Sequence, residues 1–239
     1  MEILKKLSAV PAADPARCGS TTIAFLGDSV THGCFEVWEA GGKMNYTFDP
    51  EAVYHNQLRK KLNEIFPLMP VNIVNAGING DSAAGGLSRL ERDVLSHHPD
   101  LTVVCFGLND VHGERDRYLA SLRSIFETLT EAGCEVIFLT PNRMNDYVDP
   151  NICGDTLKAI AAHTADMQTG GRMDEYMEKA CGTARSVRGV RIADAYARWT
   201  KLHDSGCDTT ALLVNHINHP NRAMHRLFAD ELFRVITEE

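Results

Sequence analysis

Ser29 directly follows a short apolar segment, in the sequence TTIAFLGDSV. Gly27 stands two residues earlier, and we expect this glycine to provide the unusual backbone angles of a tight turn. A hydroxyl at the carboxyl end of a buried strand lies where open α/β sheets bind ligands, and it can act there as a nucleophile. A GDS triplet alone is more often a simple turn, and it is not the GxSxG motif of the α/β-hydrolase elbow.

Two further glycine-rich turns follow apolar segments. They are NAGINGD, residues 75–81, and GLND, residues 107–110. A glycine in the first segment lets a backbone N–H face a reacting oxygen with no side chain in the way, and the amide of Asn109 in the second is a good donor to a developing oxyanion. Either segment can also be an ordinary turn, because glycine gives backbone freedom and Asn and Asp form local hydrogen bonds.

A histidine near the C-terminus, His219, lies in the sequence NHINHPN, residues 215–221. Imidazole titrates near neutral pH, so it can take a proton from a hydroxyl and return it to a leaving alkoxide. Pro220 suits the first position of a helix, because its missing N–H would have been unpaired there. We therefore expect the last helix to begin just after His219.

The elements that must position these residues alternate between strands and helices. Near-continuous apolar segments are typical of parallel strands buried on both faces of a sheet. Five such segments occur, at Thr22–Leu26, Val71–Asn75, Leu101–Phe106, Glu135–Thr140 and Val190–Asp194. Apolar residues recur at helical spacing between them. The pattern predicts an α/β fold, with helices on both faces of a five-stranded parallel sheet.

The rest of the chain is less regular. Gly170 and Gly171 separate two expected helices, the second over roughly Met173–Arg185, and residues 195–217 are interpreted as a long, mostly irregular connection. A chain of 239 residues suits one domain, since a single core seldom grows beyond ~250–300 residues. Residues 1–20 are expected to be a peripheral extension of this single domain, which covers residues 1–239.

The four segments together resemble the SGNH, or GDSL, hydrolase family. Its blocks match in order at residues 27–29, 75–81, 107–110 and 219–221, and the resemblance runs from about residue 22 to the end. The resemblance implies a flavodoxin-like three-layer α/β/α sandwich, with Ser29 as nucleophile and His219 as base. The oxyanion hole would consist of the Ser29 N–H, the Gly77 N–H and the Asn109 side chain, and no cofactor or metal would be needed.

One position departs from the family pattern. The family commonly has an aspartate three residues before the catalytic histidine, and here that residue is His216. Asn215, a backbone carbonyl or a more distant acid such as Asp208 could orient His219, or the enzyme could work as a Ser-His dyad. His216 itself is interpreted as a solvated loop residue rather than a catalytic one.

Several other polar residues are weaker candidates. Asp28 could form a hydrogen bond within the nucleophile turn or be purely structural. Residues that could line the pocket, or serve only in packing, are His32, Cys34, Asp110 and His112. Residues to which we assign no chemistry are His97, His98, Asp146 and Asp149. None of them has the spacing of a metal site.

The composition excludes some classes of function. The 24 Lys and Arg against 32 Asp and Glu give a formal net charge of −8, which disfavours binding to nucleic acid or anionic lipid. No segment has the apolar run of a secretory signal or a membrane span, so we expect a cytoplasmic protein. The seven cysteines, with no CxxC pair, are expected to be reduced and mostly buried.

The favoured function is hydrolysis of a carboxylic ester through an acyl-serine intermediate. The acyl group is expected to be short, because no lid domain is present, and an acetylated sugar is the preferred substrate by analogy with the family. The alternatives are a lysophospholipase or thioesterase, and a binding module that kept the fold but lost catalysis. A nucleotide-binding flavodoxin relative is disfavoured, because GDSVTHG is neither a P-loop nor GxGxxG.

Overall fold

The fold is built on a five-stranded parallel sheet, seen in a computed structural model that describes residues 1–9 and 19–238. The strands are β1 (Thr21–Gly27), β2 (Cys34–Ala40), β3 (Lys43–Phe48), β4 (Val71–Gly77), β5 (Leu101–Cys105), β6 (Glu135–Leu139) and β7 (Val190–Ala193). The sheet order is β4-β1-β5-β6-β7, whereas β2 and β3 pair separately as an antiparallel hairpin. The five predicted strands are confirmed, with ends shifted by one or two residues.

Helices cover both faces of the sheet. They are α1 (Glu2–Leu7), α2 (Ser29–His32), α3 (Tyr54–Ile65), α4 (Ala83–Ser88), α5 (Leu90–Asp93), α6 (Arg115–Glu131), α7 (Asp155–Thr169), α8 (Arg172–Ser186), α9 (Ala195–Asp204) and α10 (His225–Thr237). Helix α3 packs against α10 and β4, whereas α6 packs against α4, α8 and β6. The predicted three-layer α/β/α sandwich is therefore confirmed.

The strand order brings the three predicted turns together. The chain runs from β1 to β4 on one side and then to β5 on the other, and the reversal opens a crevice at the carboxyl ends of the strands. Gly27 of β1 is in register with Gly77 of β4 and with Cys105 of β5. The turns that follow these strands consequently lie side by side at one edge of the sheet.

Two expectations near the C-terminus were wrong. Residues 195–204 form α9 rather than an irregular loop, because Asp194 caps its first turn by accepting from the Ala197 N–H and Trp199 is fully buried. The last helix begins at His225 rather than just after His219. Pro220 instead pairs with Leu213 in an isolated β-bridge, so the chain stays extended after the histidine.

The hairpin formed by β2 and β3 was not predicted. Val37 and Met44 pack it against a small second core of four residues, Ile152, Leu157, Ala161 and Ile217. The pairing of β2 with β3 is irregular between Cys34 and Val37, and a bulge of this kind frees backbone groups from the ladder. The hairpin therefore lies beside the loop that carries His219, with unpaired backbone at its base.

The N-terminal helix α1 packs into the main core through Ile3 and Leu7, both nearly inaccessible to solvent. The Glu135 carboxylate accepts hydrogen bonds from the backbone N–H groups of Glu2 and Ile3. Residues 10–18 of the predicted extension, including Cys18, lie outside the described residues, and the six described cysteines are free thiols. In residues 1–9 and 19–238, no helix combines the length and apolarity needed to cross a bilayer.

Candidate active site

The turn after β1 places Ser29 as the first residue of the short helix α2. The backbone N–H of a first helical residue has no acceptor within its helix, so it can serve a ligand. Asp28 caps α2 by accepting from the Val30 N–H at 3.0 Å. We had expected Gly27 to supply an unusual φ, but its φ is ordinary. A glycine is required there because a Cβ would clash with Thr31 Oγ1 and the Cys105 carbonyl.

Ser29 and His219 are in direct contact although 190 positions separate them. The Nε2 of His219 lies 2.9 Å from Oγ of Ser29. Both residues are almost fully buried, with 3% and 4% of their surface exposed. The structure thus brings the predicted nucleophile and the predicted base within the distance that direct proton transfer requires.

The other nitrogen of His219 contacts a backbone carbonyl. Nδ1 lies 2.9 Å from the carbonyl oxygen of Phe35, in the bulge of β2. Because a carbonyl can only accept, Nδ1 carries the proton and Nε2 is free to accept from the Ser29 hydroxyl. Burial lowers the pKa of His219 to about 4, although the bond to Phe35 opposes this shift.

The side chains predicted as possible orienting groups lie elsewhere. His216 has a left-handed backbone, with φ of 55°, and its Nδ1 lies 3.2 Å from the Asp149 carboxylate. Asp208 accepts from the Tyr147 hydroxyl at 2.7 Å. The group that orients the His219 ring is therefore the backbone carbonyl that the sequence had left as one of several alternatives.

Asn215 shapes the loop on which His219 stands. Its Oδ1 accepts from the backbone N–H groups of Ile217, Asn218 and His219, at 3.1, 3.0 and 2.9 Å. Asn142, which follows β6 and is fully buried, donates from Nδ2 to the Asn218 carbonyl at 2.9 Å. Sequence reasoning missed Asn142, although a polar residue just past the carboxyl end of a buried strand is a usable signal.

Asn109 follows β5, the strand that pairs with β1, so its turn lies beside the turn that carries Ser29. Its Nδ2 donates one hydrogen to the Asp81 carbonyl at 2.8 Å, which leaves its second amide hydrogen available. Asn109 also lines a cleft of about 300 Å³, together with Ser82, Arg117 and Tyr118. The amide is thus both anchored and able to face a small ligand.

The N–H of Gly77 is already engaged. It donates to Oδ1 of Asn75 at 3.0 Å, and a Cβ at position 77 would clash with the backbone of His32. Gly80, in the same turn, has a φ of 78°, and among residues 19–238 no hydrogen-bond acceptor is found for its N–H. A ligand can therefore accept from the Gly77 N–H only in place of Asn75 Oδ1, whereas the Gly80 N–H is free.

A buried arginine holds these turns together. Arg89 donates to the carbonyls of Gly27 and Ala76 at 3.1 and 2.6 Å, and it forms ion pairs with Asp81 and Asp93 at 2.8 and 3.2 Å. Only 7% of its side chain is exposed. Sequence reasoning missed it, because residues 83–94 contain two arginines, Arg89 and Arg92, and the sequence does not show which of them is buried.

Two buried carboxyl groups lie near the turns. Burial raises the pKa of Asp28 to about 7 and that of Asp110 to about 6. Asp110 accepts from the Ala83 N–H at 3.0 Å, at the start of α4. Each has a second carboxyl oxygen that is buried without a hydrogen-bond partner. Both groups shape the turns rather than contact Ser29 or His219 through any hydrogen bond in the described part of the chain.

The remaining candidates lie in packing or surface positions. His32 accepts from the Asn79 N–H at 3.2 Å, and its ring packs at a tilt against Phe48, so it supports the 75–81 turn. Burial raises the pKa of the Cys34 thiol to about 12, so this thiol stays protonated. His112 stacks on His163. Within the described residues, no cluster of three or more His, Cys, Asp or Glu could hold a metal ion.

One related protein shares part of this sequence. An acetylxylan esterase from Geobacillus stearothermophilus is 28% identical over 131 residues, a region that covers 50% of this chain. The same region is 58% of that esterase, so the match spans little more than half of the relative's length.

Solved structures share the fold across nearly the whole chain. An acetylxylan esterase from Geobacillus stearothermophilus matches with a TM-score of 0.68 at 22% identity, covering 93% of this chain and 97% of that one. An alpha/beta hydrolase enzyme from the metagenome of Lake Arreo, Spain, matches with a TM-score of 0.66 at 20% identity, covering 92% and 95%. Catalytic mutants of the first protein change a serine, an aspartate and a histidine, the aspartate three positions before the histidine.

The family assignment follows from a match over most of the chain. The sequence model of the GDSL-like lipase/acylhydrolase family matches residues 25–227. That range includes Ser29, Asn109 and His219, the residues that the fold brings to one edge of the sheet. The protein therefore belongs to the GDSL-like lipase/acylhydrolase family.

Proposed function

We propose that this protein hydrolyses carboxylic esters, with Ser29 as the nucleophile and His219 as the general base. The observation that carries the proposal is the 2.9 Å contact between Ser29 Oγ and His219 Nε2. It supports catalysis because Nδ1 is held protonated by the Phe35 carbonyl, which leaves Nε2 as an acceptor.

In the first half-reaction, Nε2 takes the hydroxyl proton while Oγ forms a bond to the ester carbonyl carbon. The tetrahedral intermediate then collapses, and the bond from carbon to the alkoxide oxygen breaks. The protonated Nε2 gives its proton to that oxygen, so the alcohol leaves and the acyl group stays on Ser29. In the second half-reaction, water gives a proton to Nε2 as its oxygen forms a bond to the acyl carbon. The bond from that carbon to Oγ then breaks, Nε2 returns its proton to Oγ, and the acid leaves.

The oxyanion of the tetrahedral intermediate needs donors beside Ser29. We assign them to the Ser29 N–H, the free amide hydrogen of Asn109 and the Gly77 N–H. The Gly77 N–H donates to Oδ1 of Asn75 in the free protein, so it would exchange this local hydrogen bond for one to the oxyanion. One such donor is typically worth ~3–4 kcal/mol of the barrier, so loss of Asn109 should lower kcat about a hundredfold or more.

The proposed substrate is a short acyl ester, with an acetylated sugar as the preferred class. The relatives with acetylxylan esterase activity support an acetylated carbohydrate as the alcohol side. A lysophospholipase or thioesterase is the alternative, and a comparison of acetyl with long-chain esters separates the two.

A direct assay tests the proposal. Wild type and S29A would be compared on p-nitrophenyl acetate, p-nitrophenyl palmitate and acetylated xylose. We expect S29A to be inactive and the acetyl esters to be cleaved faster than the palmitate. Faster palmitate cleavage would contradict the short-chain substrate, and no cleavage of any ester by folded wild type would favour a binding module.

A further inference from the structure

Arg222 lies three residues after His219 and reaches across to the β2–β3 hairpin. Its NH1 lies 2.6 Å from a Glu36 carboxyl oxygen, and its Nε lies 2.8 Å from an Asp49 carboxyl oxygen. The plane of its guanidinium also lies over the ring of Phe35, 4.5 Å from the ring centre. The Arg222 side chain therefore contacts Phe35, the first strand of the hairpin and the residue that follows its second strand.

These contacts fall where the hairpin needs support. Phe35 and Glu36 lie in the bulge of β2, where regular ladder bonds to β3 are missing. Asp49 follows β3 directly, and its N–H donates to the Gly33 carbonyl at 2.9 Å, which closes the base of the hairpin. The ion pairs thus hold the bulge on one side and the closing residue on the other.

The charges needed for this arrangement are present at neutral pH. The hydrogen bonds from Arg222 hold the pKa values of Glu36 and Asp49 below their usual range. A guanidinium fork fixes two carboxylates in direction as well as in distance, which a single ammonium group cannot do. The arrangement therefore fixes geometry rather than merely attracting opposite charges.

We propose that Arg222 is a positioning residue, which holds the Phe35 carbonyl against Nδ1 of His219 by clamping Glu36 and Asp49. Through the Phe35 carbonyl, these contacts orient the His219 ring, as the acidic side chain does in a Ser-His-Asp triad. This proposal rests on the proposed function only for the predicted effect on rate, because the position of the His219 ring is a property of the fold.

The kinetic test compares R222Q with R226Q. Arg226 lies in α10, with a side chain 78% exposed, so R226Q is a matched control for loss of one positive charge. We expect R222Q to lower kcat for p-nitrophenyl acetate by about tenfold or more, with KM changed less than twofold, because a misplaced base slows chemistry more than binding. R222K should recover only part of the loss. An R222Q enzyme with kcat within twofold of wild type would overturn the proposal.

A spectroscopic test separates the clamp from the activity. In protein with ¹⁵N-labelled histidine, the His219 Nδ1–H should give a slowly exchanging signal, assigned by its loss in H219Q. We expect this signal to broaden or vanish in R222Q and to persist in R226Q. Persistence in R222Q would overturn the proposal, even if wild type hydrolyses no ester and the proposed function fails.

A second variant covers the case in which R222Q does not fold. The double variant E36Q/D49N keeps Arg222 and removes both of its carboxylate partners. The proposal requires the same loss of the His219 Nδ1–H signal in this variant. A folded E36Q/D49N protein with the wild-type signal would exclude the clamp.

Discussion

The partner of His219 is a neutral dipole rather than a carboxylate. The Phe35 carbonyl can fix the tautomer and the direction of the ring, but it carries no negative charge to stabilise the imidazolium that forms during the reaction. Burial further disfavours the charged ring. We therefore expect a base that is correctly aimed and remains neutral at unusually low pH.

This expectation predicts the pH dependence of the reaction. Since the pKa of His219 is lowered to about 4, its neutral, active form persists well below the ordinary histidine value of 6.5. We predict that kcat/KM for p-nitrophenyl acetate is flat from pH 7 to about pH 5 and falls only as the pH nears 4. A fall in kcat/KM centred near pH 6.5 would contradict the lowered pKa of His219, and it would show that the ring is more solvated than its burial implies.

The carboxyl ends of β1 and β4 are joined by Arg89 as well as by the strand ladder. Its hydrogen bonds to two strand-end carbonyls lie beneath the turns that carry Ser29 and Gly80. Removal of one partner from a buried ion pair leaves an uncompensated charge, which typically costs about 3–5 kcal/mol. Arg89 is thus both a stabilising residue and a support for the site.

Arg89→Leu tests this role against a neighbouring control. We predict that R89L lowers the free energy of unfolding by about 3–5 kcal/mol, measured by urea denaturation. Arg92→Leu, which removes an arginine 75% exposed in the same region, should change it by less than about 0.5 kcal/mol. Equal effects of the two substitutions would refute the structural role of Arg89.

The sequence predicts the main elements better than the details of the site. The five buried strands are readable because each residue of a segment such as β5, LTVVC, is either apolar or β-branched. The β2–β3 hairpin cannot be recognised in this way, because Trp38 and Tyr46 are exposed and its strands lack a buried face along their length. The Phe35 carbonyl has no sequence signature at all, because every residue carries one.

Across the whole molecule, buried histidines and buried aspartates have opposite effects on how stability changes with pH. Burial lowers the pKa values of His55, His219 and His225 to about 4, 4 and 3. The unfolded chain therefore binds protons that the folded protein does not bind. As a result, these three histidines lower the stability of the folded protein as the pH falls from 6.5 towards 4. Asp28 and Asp110, with raised pKa values, hold protons in the folded state and so oppose this loss.

Asp28→Asn tests this balance. Asparagine keeps the cap on α2 but cannot titrate, so the variant loses one of the two opposing contributions. We predict a larger fall in melting temperature between pH 7 and pH 5 for D28N than for wild type. Asp116→Asn, which changes a carboxylate 93% exposed, should behave as wild type. A smaller fall in D28N would contradict the assigned shift of Asp28.

The reaction of Ser29 with a fluorophosphonate, followed by intact mass and peptide mapping, tests the activation of Ser29 by His219. We predict one covalent adduct per chain, located on Ser29, formed rapidly by wild type and slowly by H219Q. Labelling of folded wild type at another residue, or at a rate that H219Q matches, would contradict the claim that His219 activates Ser29.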